Sequence, residues 1–289
     1  MTPFDLIEPR SLHEAVGLLD TEDPAVRPIA GGTALVQMMK TGVFKPTRLV
    51  SLRRVEDKFS RVETDGGSLR IGALTPLSGI EHSAEVRSRA PALLPALLTL
   101  SNVRVRNVAT LGGHLAHADP HMDLPPLLMA MGARIGVAGP AGNRTLTVDE
   151  LFKGYYETSL ARNELIADVT IPPQAGRQSA YLKCTTRSAD DWPALGVAVS
   201  LQMDGPAVKT ADIVISAATE KPTRLAATQK TVAGARLDQT TLGRAGEAAA
   251  AEAQTIDDVR GSAAYKRELV RVYVVRALQR AIANGAGRA

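Results

Sequence analysis

The sequence predicts an α+β protein in two parts, and three observations carry that prediction. Up to about residue 175, short apolar runs alternate with glycine turns and helical patterns, as in "PIAGGTALVQMMK" from Pro28 to Lys40. "PPQAGRQ", marked by Pro, Gly and Gln, then breaks the chain as a linker would. After it come strand-like runs followed by helical ones, the order of an α+β domain.

Each element has a local reason. "SLHEAVGLLD" reads as a helix with Ser11 as cap and Glu14 as its capping-box partner, burying Leu12, Ala15, Val16 and Leu19. "VRPIAGGTALVQMMK" reads as strand, Gly-Gly turn and helix; "RLVSL" and "SLRIGAL" read as strands flanking the Gly66-Gly67 turn. "LSGIEHSAEVRSRAPALLPALLTL" is mostly helical, with interruptions expected near Pro91 and Pro95. A second Gly-Gly turn follows at Gly112-Gly113. Asp123 then suits an N-cap, with Pro125 and Pro126 tolerable in the first turn of the next helix. Strands are expected near 134–138, in "TLT" ahead of a short helix, and in "ELIADVTIP". Beyond the linker, "SAYLKCTT", "ALGVAVSLQM" and "ADIVISAA" read as strands. "LGRAGEAAAAEAQ" and "AAYKRELVRVYVVRALQRAIANG" read as helices, the last presenting Leu269, Val272, Tyr273, Arg276 and Leu278 and stopping at Gly285.

Composition narrows the function. The 289 residues are 45% hydrophobic and 22% charged, as in a globular chain able to bury a core. Net charge is only +4, no basic run occurs and aromatics are 3%, which argues against a nucleic-acid platform. With Cys184 alone, this chain builds no disulfide, iron–sulfur cluster or cysteine zinc site. The N-terminus lacks the basic start and apolar stretch of a signal peptide, and no window is long and apolar enough for a membrane span, so a cytoplasmic location is expected. A Rossmann fingerprint, a P-loop and a GxSxG elbow are all missing.

Gly31-Gly32 alone reads as an ordinary turn, or as a nest of backbone N–H groups around a phosphate, with Thr33 adding a hydroxyl. On the nest reading, a Cβ at Gly32 would occupy the phosphate's place. "VATLGGHLAHADPHMDLPPLL" supplies a second such loop, and the two together can converge on one diphosphate, with Thr110, His114 and Asp123 donating or accepting nearby. The same stretch offers a rival reading: His114, His117 and His121, interleaved with Asp119 and Asp123, have the ingredients of a metal site, opposed by Gly112-Gly113 and Asp119-Pro120 as helix breakers. "YLKCTTRSADDWPALGVAV" reads either as a solvated edge with salt bridges or as a segment in which Lys183 reaches a ligand and Arg187 pairs with Asp190; Cys184 reads as a small buried hydrophobe and Trp192 as packing or interface.

Taken in order, these stretches resemble the FAD-binding medium subunit of molybdenum hydroxylases, the family of xanthine dehydrogenase flavin domains and aerobic carbon monoxide dehydrogenase medium subunits. The resemblance rests on both Gly-Gly motifs, "ELIADVTIP", "YLKCTTRSADDWPALGVAV" and "YKRELVRVYVVRALQRA", and covers nearly the whole chain. It implies a PCMH-type FAD-binding fold over residues 1–175, in subdomains of about 1–57 and 58–175. A C-terminal α+β domain with an antiparallel sheet, like that of carbon monoxide dehydrogenase flavoproteins, is implied over 176–289. It further implies that Ile29, Ala30, Gly31, Gly32, Thr33, Ala34 and Leu35 wrap the FAD diphosphate. Thr110, Gly113 and His114 would continue the cradle, and Asp123 would bond the ribityl chain or nearby oxygens. Leu100, Ile166 and Lys183 would contact the cofactor. Thr33 stands where covalently flavinylated proteins of the wider fold often carry His, implying non-covalent FAD. No catalytic base or metal ligand is implied in this chain. The implied partners are a small [2Fe–2S] subunit and a large molybdopterin subunit, assembled as a dimer of heterotrimers, with an external acceptor such as a quinone, NAD or oxygen. The competing readings are a stand-alone flavin oxidase or reductase of the same fold, and a metal-binding or scaffold protein built on the histidine-rich loop.

Overall fold

The computed structural model of the chain describes residues 2–286. Its first unit comprises β1 (Asp5–Ile7), α1 (Leu12–Gly17), β2 (Val26–Ile29), α2 (Leu35–Lys40) and β3 (Arg48–Ser51), in a parallel sheet of order β1-β3-β2. Ser11 Oγ accepts from the Glu14 amide at 3.0 Å, but the Glu14 carboxylate reaches back to the Arg10 amide rather than to Ser11, so the capping box is half made. Leu12, Ala15, Val16 and Leu19 are all buried, as their spacing predicts.

The second unit is an antiparallel sheet with helices packed on it. Its strands are β4 (Val62–Asp65), β5 (Ser68–Gly72), β6 (Arg134–Gly139), β7 (Gly142–Thr147) and β10 (Leu165–Ile171), in the order β4-β5-β10-β6-β7. Between β5 and β6 run α3 (Leu77–His82), α4 (Ala84–Arg89), α5 (Leu93–Thr99), α6 (Val103–Arg106), α7 (Leu111–His117) and α8 (Leu124–Ala130). After β7 come α9 (Val148–Leu151) and the hairpin of β8 (Phe152–Gly154) and β9 (Glu157–Thr158). The helical breaks fall at Ser83 and Ala90–Ala92. Pro95 does not interrupt: it is the third residue of α5, in the first turn, where an N–H has no intrahelical acceptor to lose. Gly112 and Gly113 correct the expected second turn, since both lie inside α7.

The third unit is a four-stranded antiparallel sheet: β11 (Arg177–Cys184), β12 (Leu195–Asp204), β13 (Ala207–Ser216) and β14 (Thr223–Arg224). It is followed by α10 (Ala226–Val232), α11 (Gln239–Glu252) and α12 (Ala263–Ala286). β12 reads as a continuous apolar run because both its faces are covered. Leu195, Val197, Val199 and Leu201 face the core shared with α11 and α12, while Ala198 packs with Tyr181 and Val214 into the core of the second unit, beside α8. The α12 face is corrected by about a residue: Lys266, Val270, Val274, Ala277, Leu278 and Ala281 are buried, and Arg276 is exposed. Nor does Gly285 stop the helix. It lies within α12, where a Cβ would press on the Gln178 side chain, so the glycine lets the helix lie close on β11. Among the described residues no helix is long and apolar enough to cross a membrane.

Candidate functional site

The site begins where β2 ends. After Ile29 the chain turns through Gly31 and Gly32, and α2 starts at Leu35. The two glycines have different reasons. Gly32 has φ +71°, a left-handed conformation that a residue with a Cβ resists. A Cβ built there would face the side chains of Ile29 and Val36 at 3.1 and 3.2 Å. Gly31 is needed for close approach: a Cβ on it would overlap the Val108 carbonyl. That approach docks the α6–α7 connection onto the first loop. Among the described residues, the N–H groups of Gly31, Gly32, Thr33 and Ala34 donate to no protein acceptor, and Thr33 is exposed. Four adjacent donors are thus free for the oxygens of an anionic ligand. Because α2 has only six residues, these amides matter more than any helix dipole.

The second loop is built differently. Thr110 caps α7, its Oγ1 accepting from the Gly113 amide at 3.3 Å. The Leu111 and Gly112 amides donate to the Thr75 and Ala73 carbonyls at 3.1 and 2.7 Å. A Cβ on Gly112 would lie 2.6 Å from that of Ala73, so this glycine lets α7 lie close on the turn that follows β5. Gly113 is exposed, with no obstacle nearer than the Thr110 hydroxyl. The residue His114 is half-buried, yet its Nε2 is enclosed and has no hydrogen-bond partner. Burial, reinforced by His117 and opposed by Asp119, pulls its pKa down to about 4, so the ring is neutral near pH 7.

A third cluster lies where the second unit meets β11. Asp123 occupies the N-cap position of α8 but makes no capping bond. Its carboxylate instead accepts from Tyr181 Oη at 2.6 Å and from Lys183 Nζ at 3.3 Å. Burial pushes its pKa up, against the pull of Lys183 and Tyr181. Lys183 also donates to the carbonyls of Thr99 at 2.6 Å and Asp191 at 3.1 Å, so all three of its protons are engaged within the protein. It therefore acts here as a cross-link between α5, α8 and the 188–192 loop. Leu100 follows Thr99 directly; it and Ile166 are buried in one core, Ile166 beside a bulge in the β10–β6 ladder. The next residue, Ser101, is left-handed at φ +52°, and Arg106 holds this turn by donating to the Leu100 and Ser101 carbonyls while pairing with Glu81 at 2.8 Å. A polar cleft of about 310 Å³, lined by Ser101, Asn102, Arg187, Ser188, Asp190 and Asp191, opens alongside.

Thirteen of the fourteen expected site residues thus fall into three groups with traceable links. Ile29 to Leu35 form one loop; Thr110, Gly113 and His114 are docked to it through Val108; Leu100, Asp123 and Lys183 are tied through Thr99. Ile166 shares the core of the second unit with Leu100 and makes no polar link. The expected Arg187–Asp190 pair is not formed: Asp190 accepts from Ser188, and it is Asp191 that holds an arginine, Arg260 at 3.2 Å. Tyr181, Thr99 and Arg106 were not expected. Tyr181 was within reach of sequence reasoning, being two residues before Lys183 and so on the same face of the strand. Among the described residues, no three His, Cys, Asp or Glu side chains converge as metal ligands.

Known proteins resemble this chain over nearly its whole length. A family described as the FAD binding domain in molybdopterin dehydrogenase matches residues 2–174, and the carbon monoxide dehydrogenase flavoprotein C-terminal domain matches residues 180–281. The chain is 32% identical to the carbon monoxide dehydrogenase medium chain of Afipia carboxidovorans, over 97% of each. It is 29% identical to the glyceraldehyde dehydrogenase medium chain of Sulfolobus acidocaldarius, over 96% of this chain and 97% of that one. Its fold is similar to that of a solved carbon monoxide dehydrogenase from Hydrogenophaga pseudoflava lacking the Mo-pyranopterin moiety, with TM-score 0.93, 32% identity and 98% and 99% of the two chains covered.

Proposed function

The chain belongs to the family of FAD-binding medium subunits of molybdopterin dehydrogenases, and on that premise we propose that it is the electron-transfer subunit of a heteromeric molybdenum hydroxylase. The observation that carries this reading is the run of unpaired amides from Gly31 to Ala34, braced from behind by Val108. Those donors, with the orphaned Nε2 of His114 in the second loop, fit a diphosphate-bearing cofactor. In this reading Ile29 to Leu35 hold the diphosphate, and Thr110, Gly113 and His114 close the cradle. Asp123 keeps accepting capacity for a hydroxyl beyond its bonds to Tyr181 and Lys183. Leu100 and Ile166 supply apolar wall, and Lys183 fixes Asp123 and the Thr99 carbonyl in place. When bound, FAD supplies the redox chemistry, accepting and releasing electrons; the chain's residues bind it, orient it and screen it from water.

Electrons then come from [2Fe–2S] clusters of a small partner subunit and leave to an external acceptor such as a quinone, NAD or oxygen. A large partner subunit carries the molybdenum cofactor and the substrate. The single Cys184 supports this division, since the clusters need ligands this chain lacks. Relatives at similar identity are named for carbon monoxide and for glyceraldehyde, which supports locating substrate choice in the partner. The test is purification of the complex from its native source. About one FAD per chain, with molybdenum and iron in the co-purifying subunits, is the expected composition. Complex without flavin absorbance would overturn the proposal.

A further inference from the structure

Four non-glycine residues of the described chain adopt left-handed backbone: Ser101, Ala118, Tyr156 and Ala217, at φ +52°, +52°, +54° and +65°. Such conformations are unfavourable for residues with a Cβ and persist only where the surroundings over-determine them. Three of the four meet on one segment, Ala118 to Asp123. Ala118 begins it; the Tyr156 amide donates to the Ala118 carbonyl at 3.0 Å; the Ala217 amide donates to the Pro120 carbonyl at 2.9 Å. The fourth, Ser101, lies two residues past the Thr99 carbonyl that shares Lys183 with Asp123.

A circuit of side chains runs through the same segment and crosses into the C-terminal part of the chain. Tyr156 Oη donates to Asp119 Oδ2 at 3.0 Å. His121 lies 3.0 Å from Asp119 Oδ1 through Nδ1 and 3.1 Å from Asp258 Oδ2 through Nε2. Asp258 Oδ2 is 2.6 Å from Nζ of Lys266, a fully buried lysine on α12. Lys266 donates in turn to the carbonyl of Ala217, whose amide returns to Pro120. Burial pushes both carboxyl groups up, but hydrogen bonds outweigh it. His121 and Tyr156 hold Asp119, and Lys266, the Arg260 amide and His121 hold Asp258, below the usual range. Ionised carboxylates only accept, so a ring bonded to both must donate from both nitrogens.

We propose that His121 is a positioning residue: as a doubly donating imidazolium between Asp119 and Asp258, it lets the C-terminal domain hold the Ala118–Asp123 segment and so sets Asp123 for the flavin. The inference rests on the reading of Asp123 as a flavin-site residue. Without the ring, Asp119 keeps Tyr156 and Asp258 keeps Lys266, but nothing links the two carboxylates, and the segment loosens.

The ring carries its own reporter. The single tryptophan of the chain, Trp192, stacks on His121 with centroids 5.6 Å apart and planes 11° from parallel. The test titrates the full apo-chain with FAD, following flavin fluorescence for affinity and Trp192 emission for the stacked ring. His121→Gln keeps one donor and near-native size. It is expected to bind FAD about tenfold more weakly than wild type, with altered Trp192 emission. Should that variant misfold, Asp258→Asn, which weakens the bridge from its far side, decides in its place and is expected to weaken FAD binding in the same direction. A folded variant with altered Trp192 emission but wild-type FAD affinity would overturn the positioning role and leave the flavin reading standing. Absence of FAD binding by the wild-type chain would overturn the flavin reading itself, and this inference with it.

Discussion

At the scale of single residues, adjacent glycines do different work. Gly32 supplies a backbone angle, and Gly31 supplies the absence of a Cβ against Val108. Gly31→Ala is therefore expected to push the two loops apart and to weaken FAD binding at least tenfold, measured by flavin titration, because the amides lose their convergence. Gly32→Ala is expected to act mainly on stability, by about 1–2 kcal/mol for the forced left-handed residue, read from denaturant unfolding. His114 gives a pH signature of its own. Its folded-state pKa, about 4, lies below that of the unfolded chain, so the native state binds fewer protons in between. Its contribution is complete above about pH 6.5 and is lost as pH falls towards about 4. His117, also lowered by burial, acts with the same sign. His114→Gln should flatten the acid side of a plot of apo-chain stability against pH; an unchanged slope would contradict the assignment.

At the scale of elements, the two Gly-Gly pairs look alike in sequence and diverge in the fold. The first ends a strand and leaves its amides free. The second sits in the first turn of α7, where the amides of Leu111 and Gly112 are bonded to carbonyls of the Ala73–Thr75 segment. The difference was not legible locally, because it depends on Ala73, some forty residues earlier. Gly112→Ala would place its Cβ 2.6 Å from that of Ala73 and should destabilise the protein by about 1–3 kcal/mol, measured by denaturant unfolding. A stability within experimental error of wild type would show that α7 slides freely on the Ala73–Thr75 segment. In β11, alternation places Tyr181 and Lys183 on one face, and both bond Asp123. The sequence singles out Lys183 through its charge, while the tyrosine two residues away carries no local signal of its bond to Asp123.

At the scale of the whole molecule, the C-terminal sheet is a shared layer. One face packs on α11 and α12; the other contributes Tyr181, Ala198 and Val214 to the core that contains α8. A chain cut after residue 175 would expose that face of α8 and leave Asp123 buried without Tyr181 or Lys183. Such a fragment is expected to lose cooperative unfolding and FAD binding, checked by circular dichroism melting and flavin titration. A fragment that folds and binds FAD like the intact chain would refute this dependence.

The sequence by itself determined the element order, the α+β class, the glycine loop at residue 31, and the exclusion of clusters and disulfides through its lone cysteine. These are local or compositional properties, set by periodicity, turn chemistry and residue inventory. The tertiary structure alone decided which amides stay unpaired, which face of α12 is buried around Lys266, and which partners Asp123, Lys183 and His121 take. Those outcomes depend on contacts between residues far apart in the chain. Burial changes what each polar group must find, and no local pattern records which distant group will supply it.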